Sequence, residues 1–342
     1  MKILHLLCSN QFSGAENVAC TIMKQMTHIE SVYCSPDGPI RKALSRQGLT
    51  FVPIASVSPK NVKRILKEQK PDLIHAHDMR ASLIASLVCG SIPLISHIHS
   101  NSPDAVRYSP KSVCYLFAAM RARHILWVSE SACKEYVFHR WVQKKSSVLY
   151  NTIDIEDVRK KAESDPNSYG YDIVFIGRLT KQKDPKRFLS VLAPVLEACP
   201  KARAAIIGDG ELADELHLLA QSPPLQSRVE FLGFLENPLK ILQESKVLVM
   251  TSRWEGTPIC ALEALALGIP IVSTPTDGLC HLIENGKNGY LDNDNARLSK
   301  YIEDILLDPH KRQALSNEAR RRADRDHNIL AYQKHLKDIY RL

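Results

Sequence analysis

Val247-Leu248-Val249-Met250-Thr251, and shortly after it Trp254-Glu255-Gly256-Thr257-Pro258-Ile259-Cys260-Ala261-Leu262-Glu263-Ala264-Leu265-Ala266-Leu267-Gly268-Ile269-Pro270, read as a strand, a short loop and a helix. Thr257 is an N-cap residue, Pro258 suits the first helical position, and Gly268 with Pro270 stops the helix. The strand delivers the helix start to the carboxyl edge of a sheet. The unsatisfied amides there, with Gly256, Thr257 and Pro258 at their mouth, make a seat for phosphate. Glu255 lies in the loop and Glu263 about one and a half turns into the helix, so the two can reach one elongated ligand from opposite ends.

The same alternation runs outward in both directions. Strand-like runs at Ile3–Cys8, Asp72–His75 and Pro93–His97 alternate with helix-like segments at Ala15–Met26 and Ala81–Cys89. After a polar stretch over residues 162–170 the pattern restarts at Tyr171–Ile176, with further strands expected at Ala204–Ile207 and Pro270–Ser273. Strands alternating with helices predict parallel βαβ units. A chain of 342 residues exceeds what one core usually organises. The expected class is therefore α/β with two Rossmann-like, doubly wound domains. The first spans residues 1–166 and the second 167–327. A helix over residues 328–342 is expected to pack back toward the first. Ligands in such sheets sit at the carboxyl ends of the strands, which makes a cleft between the domains the expected site.

Composition narrows the class. The 45 Lys and Arg against 37 Asp and Glu leave a net charge of +8, which suits an anionic partner. Nine cysteines without C-x-x-C spacing, mostly on apolar segments, read as buried thiols in a reducing compartment. The apolar run at the N-terminus is short for a signal peptide, and no window of about 18 apolar residues is present. A cytoplasmic protein with at most peripheral contact on the inner face of the membrane is expected.

Glu255 and Glu263 form an E-x7-E motif, and here the sequence resembles the retaining GT-B glycosyltransferases of family four, of bacterial surface-polysaccharide type. Other landmarks follow in that family's order. They are Gly14-Ala15-Glu16, Ile74-His75-Ala76-His77, Ser96-His97-Ile98-His99, Asn151-Thr152-Ile153-Asp154, Ile176-Gly177-Arg178-Leu179 with Lys183, Gly208-Asp209-Gly210, Phe231-Leu232-Gly233 and Asn285-Gly286-Lys287-Asn288-Gly289-Tyr290. The resemblance implies a donor that is a nucleotide-diphosphate sugar, a UDP-sugar in the commonest case, and no metal or other cofactor. It implies that Glu255 meets the donor sugar, Glu263 the ribose, Arg178 and Lys183 the diphosphate, Gly14 the donor phosphate, and His99 the transferred sugar. Fixed cations would stabilise the leaving diphosphate in place of a divalent ion. The implied acceptor is a glycan or lipid-linked hydroxyl. Three positions depart from the pattern: Ser13 and Thr152 stand where glycines are common, and Asp184 follows Lys183 where glycine is usual.

Alternative readings stand beside these. Gly208-Asp209-Gly210 reads equally as a turn or as a nucleotide contact. His75, His77, Asp78, His97 and His99 can be drawn as a zinc site, but local hydrogen bonding at the strand ends is the preferred reading. Asp292-Asn293-Asp294 resembles a metal-binding D-x-D, yet a solvated loop is preferred. Residues 107–145 carry eight Lys or Arg with interleaved aromatics, which suits anionic lipid headgroups. No RNA-binding module signature accompanies them. Functional competitors are a nucleotide-sugar epimerase and a non-catalytic partner subunit of an active transferase.

Overall fold

The computed structural model describes residues 1–99, 103–326 and 329–341. The chain forms two compact units. The first holds residues through Thr152 together with the helix Ile329–Tyr340, and the second runs from Ile153 to Asn328. The polar stretch 162–170 therefore lies inside the second unit.

Seven strands make the sheet of the first unit: β1 (Lys2–Leu6), β2 (Glu30–Pro36), β3 (Phe51–Ile54), β4 (Leu73–Ala76), β5 (Leu94–Ile98), β6 (His124–Trp127) and β7 (Ser146–Val148). Six make the second: β8 (Ile173–Ile176), β9 (Ala204–Ile207), β10 (Val229–Gly233), β11 (Val247–Met250), β12 (Ile271–Ser273) and β13 (Gly289–Leu291). Strand orders are β3-β2-β1-β4-β5-β6-β7 and β10-β9-β8-β11-β12-β13, and every pairing is parallel. Each order reverses once, between β1 and β4 and between β8 and β11. Such a reversal opens a crevice at the carboxyl ends of the two central strands.

Burial on both faces explains why these strands read as continuous apolar runs. In β8, Ile173 and Phe175 pack with Phe188 and Leu192 of the helix Pro185–Ala198, while Val174 packs with Ala261 and Leu265 of the helix Ile259–Leu267. Removing such a side chain from water is worth about 1.5–3 kcal/mol. In the first unit Tyr115, Trp127 and Tyr136 form a buried aromatic cluster. The helix Met79–Val88 starts on Asp78, whose Oδ1 accepts from the Ala81 amide at 2.6 Å.

Several local expectations are corrected. The helix expected from Pro258 begins at Ile259 with Pro258 as its N-cap, so Thr257 lies one residue outside it. Thr257 is buried all the same. Cys114 and Cys280 are exposed, unlike the thiols buried in the cores. Among the described residues no helix is long and apolar enough to cross a membrane.

Candidate active site

In the second unit, the crevice between β8 and β11 is bounded by the loops that leave those two strands. The β8 loop carries Gly177, Arg178 and Lys183, and the β11 loop carries Ser252, Glu255 and Gly256. Hydrogen bonds tie them together: the Arg253 backbone amide donates to the Gln182 carbonyl at 2.8 Å, and the Gln182 side chain donates through Nε2 to the Trp254 carbonyl at 3.0 Å. Lys183 Nζ lies 2.5 Å from Glu255 Oε1, which also accepts from Ser252 Oγ at 2.6 Å. Only 15% of the Lys183 side chain and 6% of the Glu255 side chain remain exposed, so a buried ion pair sits at the strand ends. Burial works against the lysine's charge, but attraction to Glu255 overcomes it and holds its pKa above the usual value.

Arg178 is exposed and reaches Gln182 Oε1 at 3.4 Å. Glu263 differs from Glu255 in having no partner. It stands half-buried in the helix Ile259–Leu267, with no hydrogen bond or ion pair to its carboxylate among the described residues. Burial raises its pKa to about 7, against the opposing charge of Lys161.

Glycines and turns account for the loop shapes. Gly208, at φ +141, lies so close to Gly177 that a side chain would overlap the Gly177 carbonyl, and a side chain on Gly210 would press on Leu179. The pair thus packs the β9 loop against the loop that holds Arg178, which is a structural reason for Gly208-Asp209-Gly210. Asp184 adopts φ +47, the left-handed region that favours glycine, and its Oδ2 accepts from Arg253 Nε at 2.9 Å. Asparagine and aspartate tolerate that region best among other residues, so the departure at Asp184 leaves the loop intact. Asp292-Asn293-Asp294 caps the start of the helix Asn295–Leu307: Asp294 Oδ1 accepts from the Arg297 amide at 2.9 Å, and Asp292 Oδ2 lies 3.0 Å from Arg297 Nη1.

Two residues of this site lie outside the motif reading. Ser252 fixes Glu255, and Gly278 lets the helix Asp277–Leu282 touch the β11 loop, where any side chain would overlap the Gly256 carbonyl. A hydroxyl three residues before the first glutamate was available as a clue to Ser252. Gly278 depends on a contact between segments far apart in sequence.

In the first unit, Gly14 opens the helix Gly14–Gln25 after Ser13, whose extended φ of −144° suits serine as well as glycine. The Ser13 amide donates to Glu16 Oε2 at 3.1 Å. A side chain on Gly14 would meet nothing within 4 Å, so chain packing does not require a glycine there. His99 stands just beyond β5 in a cluster at the carboxyl ends of β1, β4 and β5. Along one line, His5 Nδ1 lies 3.0 Å from His77 Nε2, and His77 Nδ1 lies 3.0 Å from His99 Nε2. Along a second, the Tyr340 hydroxyl lies 2.7 Å from His75 Nδ1, and His75 Nε2 lies 3.2 Å from His97 Nδ1. Burial lowers every one of these imidazoles, His5 and His99 to about 3, so they are neutral at pH 7.

Two triads, His5-His75-His77 and His77-His97-His99, bring ring nitrogens within 4.8 Å of one another. The ring planes of the first triad do not suit an ion. His75 lies face to face on His77 at 4.2 Å and 17°, so those two rings present faces, not converging lone pairs, to each other. Asp78, the carboxylate drawn into a zinc site above, is taken up as the helix cap.

Comparison with known proteins follows the same division. The family model described as Glycosyltransferase Family 4 matches residues 14–157, and that described as Glycosyl transferases group 1 matches residues 156–322. The GalNAc-alpha-(1->4)-GalNAc-alpha-(1->3)-diNAcBac-PP-undecaprenol alpha-1,4-N-acetyl-D-galactosaminyltransferase of Campylobacter jejuni is 30% identical over 273 residues, which covers 76% of this chain and 72% of that protein. The UDP-Gal:alpha-D-GlcNAc-diphosphoundecaprenol alpha-1,3-galactosyltransferase of Escherichia coli is 24% identical over 376 residues, covering 99% and 96%. Other relatives are matched over only 60% and 59% of their own length. The crystal structure of Anabaena Alr3699/HepE in complex with UDP-glucose superposes with a TM-score of 0.85 at 21% identity over 99% of both chains, and the two parallel-sheet units fit the GT-B fold it shares. With two glycosyltransferase family models meeting end to end across both units, the chain belongs to the group 1 glycosyltransferases.

Proposed function

We propose that the protein moves a sugar, with retention of configuration and without a metal ion, from a UDP-sugar to a hydroxyl of a glycan or lipid-linked acceptor. The observation that carries this reading is the grouping at the β8 and β11 ends: a buried Lys183–Glu255 pair, Arg178 beside it, and an unpartnered Glu263 in the helix that starts at the same loop. Lys183 and Arg178 bind the diphosphate, and the first amides of the helix Ile259–Leu267, with Gly256, Thr257 and Pro258, add to that cradle. Glu263 accepts from the ribose hydroxyls and Glu255 from the sugar. Gly208 contributes backbone near the nucleotide. Gly14 leaves room for the donor phosphate in the first unit, and His99 meets the transferred sugar.

The acceptor oxygen attacks the anomeric carbon on the face from which the diphosphate departs. The bond from that carbon to the phosphate oxygen breaks, and the acceptor's proton passes to the leaving phosphate. Charge developing on the phosphate is stabilised by Lys183, Arg178 and the helix amides, which are set before reaction. Isolation of a covalent glycosyl-enzyme would overturn this step.

The two relatives are named for transfer to undecaprenol-diphosphate-linked acceptors, and a lipid-linked acceptor here follows by analogy. A surface of the first unit suits that environment. The helix Pro110–Arg121 exposes Val113, Phe117 and Met120 along one stripe, with Tyr108 and Trp141 exposed nearby and Lys111, Arg121, Arg140 and Lys144 around them. We assign this face to peripheral contact with anionic lipid on the cytoplasmic side of the membrane.

Thermal unfolding with UDP and EDTA tests the donor site. UDP should raise the transition despite EDTA, and Lys183→Ala and Glu263→Ala should lose the shift. A shift that needs added metal would refute the metal-free leaving group. NMR of the product's anomeric carbon then reads retention, and unchanged donor in the absence of acceptor excludes epimerisation.

A further inference from the structure

Five histidines of the first unit, His5, His75, His77, His97 and His99, form two hydrogen-bonded ribbons laid one on the other. Along the first, ring centroids are 5.3 Å apart from His5 to His77 and 5.2 Å from His77 to His99, with interplanar angles of 30° and 7°. Those separations, with nitrogens 3.0 Å apart, are edge-to-edge imidazole hydrogen bonds. The second ribbon, from Tyr340 through His75 to His97, stacks on it, with His97 and His99 centroids 4.0 Å apart.

A neutral imidazole carries one N–H and one lone pair. Within a ribbon of neutral rings, each N–H···N bond needs a donor on one side and an acceptor on the other. Choosing the tautomer of one ring therefore sets every other ring in the line. His99 has Nε2 engaged by His77, and its remaining edge, Nδ1, is buried without a partner among the described residues. A buried ring nitrogen left open costs free energy unless a ligand or water completes it.

We propose that His77, backed by His5, is a positioning residue that holds His99 in one ring plane and one tautomer, so that His99 presents Nδ1 as its single ligand-facing edge. This rests on the reading of His99 as a sugar contact. The register makes the device possible. His5 of β1 lies directly opposite His75 of β4, and the two-residue period of the strand then carries His77 to the same face, one step nearer the carboxyl edge. His97 and His99 repeat that step on β5. Either polarity of the ribbon leaves Nδ1 as the open edge; polarity decides whether it donates or accepts.

Two substitutions of equal polarity separate positioning from mere support. His77→Asn keeps a polar atom near the place of Nδ1, toward His99, and gives up the link to His5. His77→Gln extends toward His5 and gives up the link to His99. Long-range proton–nitrogen NMR on protein labelled with 15N-histidine reads the tautomer of each ring without ligand. The wild type and His77→Asn should show His99 as a single neutral tautomer, and His77→Gln a mixture. With UDP release from UDP-glucose as the assay, His77→Gln should lose about tenfold in kcat with KM little changed, while His77→Asn stays close to wild type. His99 as a mixture in the wild type, a single tautomer kept in His77→Gln, or equal losses in the two variants would overturn the inference. Should His77→Gln fail to fold, His77→Leu removes the atom facing His99 Nε2 and carries the same His99 tautomer test. If His99→Ala releases UDP at the wild-type rate, the sugar contact is wrong, and the tautomer comparison still decides the positioning.

Discussion

Replacing Glu263 with glutamine should stabilise the second unit above neutral pH and leave it unchanged in acid. The Glu263 carboxyl is held by burial at a pKa of about 7, against 4.5 for an unhindered side chain. At 1.36 kcal/mol per unit, that difference corresponds to about 3 kcal/mol. The direction follows from linkage. Below pH 4.5 the group is protonated in both states and nothing distinguishes wild type from variant. Between 4.5 and 7 the unfolded chain ionises while the folded one holds its proton, so raising the pH progressively disfavours the wild-type fold. Above 7 the folded state carries a half-buried carboxylate with no fixed donor, and the full difference is present. Urea unfolding of the two proteins at pH 4.5, 6, 7 and 8 measures the gap directly, because all other titrating groups cancel. A gap that does not change with pH, or a variant less stable than wild type at pH 8, would refute the reasoning. The same titration predicts that UDP binds the wild type about tenfold more weakly at pH 6 than at pH 8, and that Glu263→Gln loses this dependence along with affinity. A carboxylate kept at such a cost to the fold fits a binding role.

Lys183→Ala should destabilise by about 3–5 kcal/mol, because it leaves Glu255 charged in a nearly closed site, and adding Glu255→Gln should recover part of that loss in thermal unfolding. Gly278→Ala should cost at least about 3 kcal/mol or prevent folding, since its methyl must displace the Gly256 carbonyl, whereas Gly14→Ala should unfold within about 0.5 kcal/mol of wild type yet bind UDP more weakly. Phe117→Glu combined with Met120→Glu should reduce co-sedimentation with vesicles containing anionic lipid and leave the melting temperature within a few degrees; unchanged sedimentation would remove the membrane role of that face.

The central strands were legible because both faces of each are covered, which leaves short apolar runs bounded by turn residues and alternating with longer helical segments. Ala204–Ile207 appears where the sequence places it. Strand β13 was not, because it begins inside the turn-rich Asn285–Tyr290 segment, at Gly289, which is needed for close approach to Ile271. The 18-residue helix Pro309–Asp326 buries only Leu315, Ala319 and Ala323, too thin a stripe to stand out from its charges. At the site, spacing was enough to single out the glutamates and cations. It could not show that Lys183 and Glu255 hold each other while Glu263 waits alone, since that depends on which loop leaves which strand. The paired histidines were visible as alternation, but His5 and Tyr340 join them only through strand register and a helix more than two hundred residues away.

That helix has a consequence for the order in which the molecule is made. A ribosome exposes every residue from Ile153 to Asn328 before it exposes Ile329, so the second unit has all its parts while the first still lacks the helix that carries Tyr340. The half begun first is the half finished last. Until then His75 has no hydroxyl at Nδ1 and the buried face that receives Tyr332, Leu336 and Tyr340 stands open, an exposed surface for chaperones to cover during translation.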